Sequence, residues 1–475
     1  MKYKVTFFVI IIIASIFSFF CNGYVKSLEK NRVDQHLDYK VNNTCDGSSF
    51  CSHLPIISID THGQEIPMPI KSEIKEDNTS VVGSFSLKFN ANESTYLTDE
   101  DTISSSALIK YRGKSSRYYP KHQYSISFID GKGNNKDISL LGMTKENKWV
   151  LNGPYLDKTL IRNYLAYNIS GKFRDDVPEV RFCEVFVNGK YQGVYLLTES
   201  ISRSLTEITR FKPKWTNISS YLIRYDRYDE NKHNIENFTK YTGKLVPGNI
   251  INVIYPPTDK LSSDILKYIT DDFSAFEKAL YSYDYKEYSK YIDVDSFVDY
   301  FIINEFFKNN DAGTHSTYFY KDVRGKIHIG PIWDFNNCLD NYVAEVSSID
   351  GFMFQNKTWY NILLKDEEFV NKIIKRYKAL RKSYLDYQYL ENYIDGAIEY
   401  LGDSIDRNYE VWGYTFTKLP VDGMLFPYER NYTSYEEAVT QMKTFLKERG
   451  EWLDENIETL KQYCHRSVIK SYEGE

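Results

Sequence analysis

"NDAGTHSTYFYKDVRGKIHIGPIWDFNN", residues 310–337, sets two short β-rich arms between two aspartates. The arms "TYFY" (317–320) and "KIHI" (326–329) flank "KDVRG", in which Gly325 is available for the turn. A turn centred between Val323 and Arg324 puts Lys321 opposite Lys326, and Gly313 opposite Asp334. Asp311 then lies two residues further on, about 7 Å along the strand direction at roughly 3.3 Å per residue. Two carboxylates that close repel each other unless a cation or a proton intervenes. Mg²⁺ suits such a pair, because it takes one or two carboxylates together with substrate phosphates. Without a cation, one carboxyl is raised in pKa and can act as an acid or a base. On geometry alone the commoner reading is two solvated turn aspartates, as most loop aspartates are.

The segments around the hairpin predict helices. "DVDSFVDYFIINEFFKNN" (293–310) reads as a helix capped by Asp295 and apolar at Phe297, Phe301 and Phe307. Ser262, Ser263 and Asp264 cap another helix that runs to about Tyr281. More helices are expected over 360–400 and 434–463. Upstream the pattern is that of strands: "LPIISIDT" (54–61), "ALIKYRG" (107–113), "HQYSISFI" (122–129) and "SSYLIRYDR" (219–227). Tyr124, Ile126 and Phe128 share one face, and Asn188-Gly189 in "FCEVFVNGKYQGVYLLTE" (182–199) supplies a type I′ hairpin turn. The expected fold class is therefore α+β, with a strand-rich N-terminal half, a helical C-terminal half and one hairpin inserted between helices.

The chain has 475 residues, 42% of them apolar, with no Pro/Gly/Ser-rich linker and no repeat, so one large domain over 54–463 with a tail at 464–475 is expected. A net charge of −6 with mixed signs gives no basic footprint and argues against nucleic acid as the main partner. The 42 tyrosines accompany abundant Asn, Lys and Ile and read as composition bias; a carbohydrate-active protein is a distant alternative. Lys2 and Lys4 precede an apolar run from Val5 to Cys21, so residues 1–23 read as an export signal or as a membrane anchor. On either reading the rest of the chain, beginning with a polar stalk at 24–53, lies outside the cytosol, extracellular or at the cell surface. Cys45 and Cys51 are close enough to form a small disulfide loop, and no CxxC pair suggests zinc.

Helix, aspartate, short hairpin and then Asp-Phe is also the order found in protein kinases, where Asp-Phe-Gly holds Mg²⁺. Here Asp334-Phe335-Asn336 stands in that place, Asn being the next best residue for a left-handed turn; HRD and GxGxxG are both absent. Together with "YRGKSSRYYPKHQYSI" (111–126), "WVLNGPYLDKTLIRNYLA" (149–166), "VFVNGKYQGVYLLTESI" (185–201), "NNDAGTHSTYFYKD" (309–322) and "GPIWDFNN" (330–337), the chain resembles the spore coat protein H (CotH) family of secreted atypical protein kinases, from about Leu54 to Trp452.

The resemblance implies a divergent kinase-like fold, ATP with Mg²⁺ or Mn²⁺, and transfer of phosphate to Ser or Thr hydroxyls of surface or spore-coat proteins. It implies that Asp334 is a metal ligand, and that Asp311 orients the acceptor hydroxyl or shares the metal, with Asn336 beside them as a further ligand. It assigns Lys121 to the nucleotide phosphates with help from Arg112, Glu199 to pairing with Lys121, and Tyr221 or Tyr225 to the adenine. Asp157, Arg162 and Asn163 match a motif of the family, which implies a structural role in which Arg162 and Asp157 brace the lobes. Two positions depart from the family pattern. Ser316 stands where many members have Asn, and Asn336 where many have Asp, which puts two-metal binding in doubt. A surface adhesin with an impaired active site is accordingly the second reading.

Overall fold

Alternating apolar residues close the first seven long strands into a barrel. The computed structural model describes residues 32–39, 45–68, 79–113, 116–211, 217–229, 232–243, 245–343, 345–417 and 424–464, and the expected signal or anchor lies outside them. Among the described residues no helix is long and apolar enough to cross a membrane. The strands are β1 (Ile56–Asp60), β2 (Val81–Lys88), β3 (Ile103–Tyr111), β4 (Tyr124–Phe128), β5 (Lys148–Asn152), β6 (Val180–Val187) and β7 (Lys190–Glu199). They follow the order β1-β2-β3-β4-β5-β7-β6, and β6 closes the ring by pairing parallel to β1. Phe85, Ile109, Ile126, Phe128, Trp149, Val185 and Leu197 fill the interior. The outer faces of β6 and β7 are covered as well, with Phe182, Val194 and Leu196 in the helical core, so these two strands are buried almost end to end. The Asn188-Gly189 turn forms as expected, with φ of 49° and 74°.

Between β5 and β6 lies α1 (Arg162–Ser170), every residue of which is buried. The chain then forms a second, all-antiparallel sheet in the order β9-β8-β10-β11, from β8 (Tyr221–Arg227), β9 (Asn249–Tyr255), β10 (Thr317–Lys321) and β11 (Ile327–Ile329). Helices α2 (Ser263–Leu280) and α3 (Val294–Phe306) pack on it, setting Phe273 and Phe297 against Phe319 at 5.2 and 6.2 Å between ring centroids. Then follow α4 (Glu367–Leu380), α5 (Tyr387–Leu401), α6 (Asp403–Trp412) and α7 (Tyr435–Asn456). Helix α6 returns to the barrel and presses Asn408 onto β7 at Gly193, whose φ is +90° and where a Cβ would collide with the Asn408 side chain.

Three local expectations need correction. The cap of α3 is Asp293, not Asp295: its carboxylate accepts from the Ser296 N–H at 2.8 Å. The hairpin register is one residue away from the expected one, with Lys321 facing Ile327 across a five-residue loop in which Arg324 has φ 64°. Ile327 is held there from outside, donating to the Tyr291 carbonyl while its own carbonyl accepts from Asp293 N–H. Part of the expected stalk is built into the body: the Gln35 amide exchanges hydrogen bonds with the Phe182 backbone (2.6 and 3.2 Å), and Cys45 is disulfide-bonded to Cys51.

The helical half turns on a buried ion pair. Arg449 of α7 donates to the Glu305 carboxylate of α3 at 2.8 Å, with side chains only 0% and 2% exposed, and Glu305 also accepts from the backbone of Met353 and Phe354. Removing one partner strands the other's charge, so Arg449→Met is expected to lower stability by about 3–5 kcal/mol in urea unfolding. The double variant with Glu305→Gln should recover part of that loss.

Candidate active site

A cleft of about 520 Å³ opens between the outer face of β3, β4 and β5 and one face of the second sheet. Strand period decides which side chains reach it. On β8, Tyr221, Ile223 and Tyr225 point into the helical core, while Arg224 and Asp226 line the cleft. On β5, Trp149 and Leu151 point into the barrel, while Lys148 and Val150 line the cleft. The floor comes from the loop after α3 and the loop after β11, which bring Asp311, Ser316, Asp334 and Asn336 to the same wall.

Three side chains of α1 set the second loop. Asn163 accepts from the Phe335 N–H (2.7 Å) and donates to the Asn336 amide oxygen (2.9 Å); the Tyr167 hydroxyl accepts from the Asp334 N–H (3.0 Å). Arg162 donates to the Cys338 carbonyl (3.2 Å) while Asp157 holds its guanidinium at 2.6 Å. These ties maintain Asp334 at φ 59°, a left-handed conformation in which a non-glycine residue is strained. Ser316, after the first aspartate, is left-handed too, with φ 45°. Asp157, Arg162 and Asn163, expected as a structural brace, therefore act on this loop.

Asp311 and Asp334 keep some surface open to the cleft while protein surrounds them. Burial raises the pKa of Asp334, the Asp311 charge raises it further, and Arg112 and a hydrogen bond from Asn336 (2.8 Å) oppose the shift. Burial raises Asp311 as well, against a hydrogen bond from Asn337 (3.3 Å). Two mutually repelling, poorly solvated carboxylates are a donor set that suits a hard dication. Among the described residues no group of three or more His, Cys, Asp or Glu is placed to hold a metal, so such an ion would complete its shell with phosphate oxygens and water. Asn336 is placed beside them, and its amide is engaged at both ends as a brace between Asn163 and Asp334.

Arg112 lines the cleft, donating to Gln123 (3.0 Å) and lying 5.5 Å over the Trp333 ring. The other nucleotide contacts expected from sequence fall elsewhere. Lys121 is buried, donates to Asn408 at 2.7 Å and lies over the Tyr195 ring. Glu199 spends its two carboxylate oxygens on the N–H groups of Thr144 and Glu179, both at 2.9 Å. The expected Lys121–Glu199 pair is thus replaced by two separate anchors, because α6 brings Asn408 against β7 and claims the lysine. Tyr225 is fully buried, its hydroxyl accepting from Val246 N–H and its ring packed edge-on to Trp359, and Tyr221 donates to Asp272. Lys148 and Arg224 were not singled out in the sequence. The signal for Arg224 was the charged residues alternating with Tyr225 in "YLIRYDR"; in "KWVLN" Lys148 precedes three apolar residues in a row and gives no such signal.

A family model described as CotH kinase protein matches residues 109–453. A curated relative, the inner spore coat protein H of Bacillus subtilis (strain 168), is 24% identical over 367 residues, covering 74% of this chain and 87% of that protein.

The repulsion stored at the site has a measurable consequence. With carboxyl pKa values raised in the folded state, the native form prefers the proton, so stability falls as pH rises above the ordinary carboxylate range. Asp334→Asn is therefore expected to raise the melting stability of metal-free protein near pH 7 by about 0.5–2 kcal/mol, as relief of active-site strain commonly does. At pH 4 the gain should shrink. Asn163→Ala leaves two loop polar groups without partners and should cost about 1–3 kcal/mol.

Proposed function

We propose, for a chain that belongs to the CotH kinase protein family, that this cleft binds ATP with Mg²⁺ or Mn²⁺ and passes the terminal phosphoryl group to a Ser or Thr hydroxyl of an exported protein. The observation that carries the reading is the pair of carboxylates sharing one cleft, Asp334 feeling the charge of Asp311, with Arg112 and other cations in the same lining. The order helix, Asp311, hairpin, Asp334 supports a divergent kinase-like arrangement of the α+β fold. The resemblance to the inner spore coat protein H of Bacillus subtilis supports a place in a spore coat or outside the cell.

Asp334, held by Tyr167 and Asn336, and Asp311 would hold the metal, which when bound neutralises charge on the carboxylates and the phosphate oxygens. Asp311 also faces the acceptor hydroxyl and takes its proton as that oxygen bonds to phosphorus. The bond from phosphorus to the bridging oxygen breaks, and the nucleoside diphosphate leaves with that electron pair. Arg112 stands beside Asp334 and can meet phosphate oxygens with its planar fork.

The test is transfer of label from ATP to a Ser/Thr-containing protein by the full chain with Mg²⁺ or Mn²⁺. Asp311→Asn and Asp334→Asn should each lower transfer about 10²–10⁴-fold. Because burial raises both carboxyls in the metal-free site, protons compete with the cation, so the Mg²⁺ concentration needed for half-maximal transfer should rise as pH falls. An absence of metal-dependent nucleotide binding would overturn the kinase reading and favour a surface-binding protein.

A further inference from the structure

The turn that carries Asp311 is held by a later part of the chain. The Asp311 carbonyl accepts from the N–H groups of Thr314 (3.0 Å) and His315 (2.7 Å), and Gly313 N–H donates to the Thr317 hydroxyl (2.8 Å). Asp311, His315 and Ser316 line the cleft; Lys357 does not, and it meets the turn from behind. Its ammonium donates to the Asn310 carbonyl at 2.9 Å and to the Thr314 hydroxyl at 2.8 Å, so its two bonds bracket Asp311. The turn wraps closely around the lysine stem. Gly313 has φ +75°, and a Cβ there would come within 2.9 Å of Lys357 Cγ. The lysine is fixed at its own base, where its N–H donates to the Phe354 carbonyl at 3.0 Å between the buried rings of Phe354 and Trp359.

No carboxylate accounts for that placement. Burial pushes the Lys357 ammonium down, and the negative charge opposing the shift comes first from Asp311, then from Glu305 and Glu345, all three acting at a distance. A cation taken out of water to hold two neutral oxygens serves the geometry of the segment between them. Without it the Asn310 carbonyl and the Thr314 hydroxyl lose a shared donor, and the turn is free to open. The opposite loop holds the carboxylate itself, through Asn337 at 3.3 Å, and Lys357 holds the backbone beneath it.

We infer that Lys357 is the positioning residue for Asp311: it fixes the turn from Asn310 to Thr314 so that the carboxylate faces the acceptor hydroxyl. The inference rests on the reading of Asp311 as the group that meets that hydroxyl. Asp334 and Arg112 belong to other loops, so the loss of Lys357 falls on the rate of transfer and not on nucleotide affinity. Displacements of about 1 Å at a reacting group cost roughly a hundredfold in rate.

Hydrogen exchange and phosphoryl transfer, both on the full chain, test this. In Lys357→Met the Thr314 and His315 amides should exchange about tenfold faster or more, while the barrel amides keep the parent's rates. The kcat for transfer should fall roughly ten- to a hundredfold, with KM for ATP within about threefold of the parent's. In an Asp311→Asn background Lys357→Met should lower the residual transfer no further, because it acts through that carboxylate. Lys357→Arg should recover part of the rate. Thr314→Val, which removes one of the two acceptors and leaves the lysine in place, should reproduce part of the loss. Unchanged exchange at Thr314 and His315 overturns the inference whatever the activity. So does a loss of transfer that is as large in Asp311→Asn as in the parent, the mark of a general structural role. Faster exchange of these two amides, in a protein whose parent form transfers no phosphate, refutes the kinase reading alone and upholds the hold of Lys357 on the turn.

Discussion

The cleft depends on one strained loop and on the helix that holds it. Asp334 sits in a left-handed conformation, Phe335 is buried in the core, and the next residue must aim an amide back at the aspartate. The backbone N–H groups of Asp334 and Phe335 are taken up by Tyr167 and Asn163, two positions one helical turn apart on α1. Arg162, on the same helix, reaches the Cys338 carbonyl with Asp157 behind it. A loop with unmet N–H groups would relax to a commoner conformation and carry the carboxylate away from the cleft.

The same economy appears in the charges. In the cleft Asp334 feels the charge of Asp311, and Lys148 feels Lys110, Lys232, Arg112 and Arg224, which is costly where solvation is poor. Elsewhere in the molecule charge is arranged the opposite way: Arg449 meets Glu305, Arg174 meets Asp176 and Arg407 meets Glu184. Such a contrast is what singles the cleft out as the candidate functional site.

Much of the local structure was legible because its signals are local. Asn188-Gly189 names its own turn, Ser262 its own cap, and the alternation in "HQYSISFI" its own buried face. The strands Val81–Lys88 and Asn249–Tyr255 were not foreseen. The first carries Gly83 and two serines, and its apolar face is only half the strand. The hairpin register failed for a tertiary reason, since the contacts of Ile327 with Tyr291 and Asp293 outweigh the turn's own preference. The two aspartates were found because they lie on either side of a contiguous motif.

What the sequence determined by itself, then, is the α+β class, the strand-then-helix order, the family, and the pair Asp311 and Asp334. These follow from residue period, turn chemistry and ordered motifs, all read over short spans. Tertiary structure decided which charged residues share the cleft. Lys121 and Asn408 are 287 residues apart, and their bond removes the lysine from the site. Lys148 and Arg224 lie on different sheets, and only the closure of the barrel against the second sheet makes them neighbours. The physical reason is that a side chain's direction is set locally by strand or helix period, whereas its partner is set by how distant elements pack.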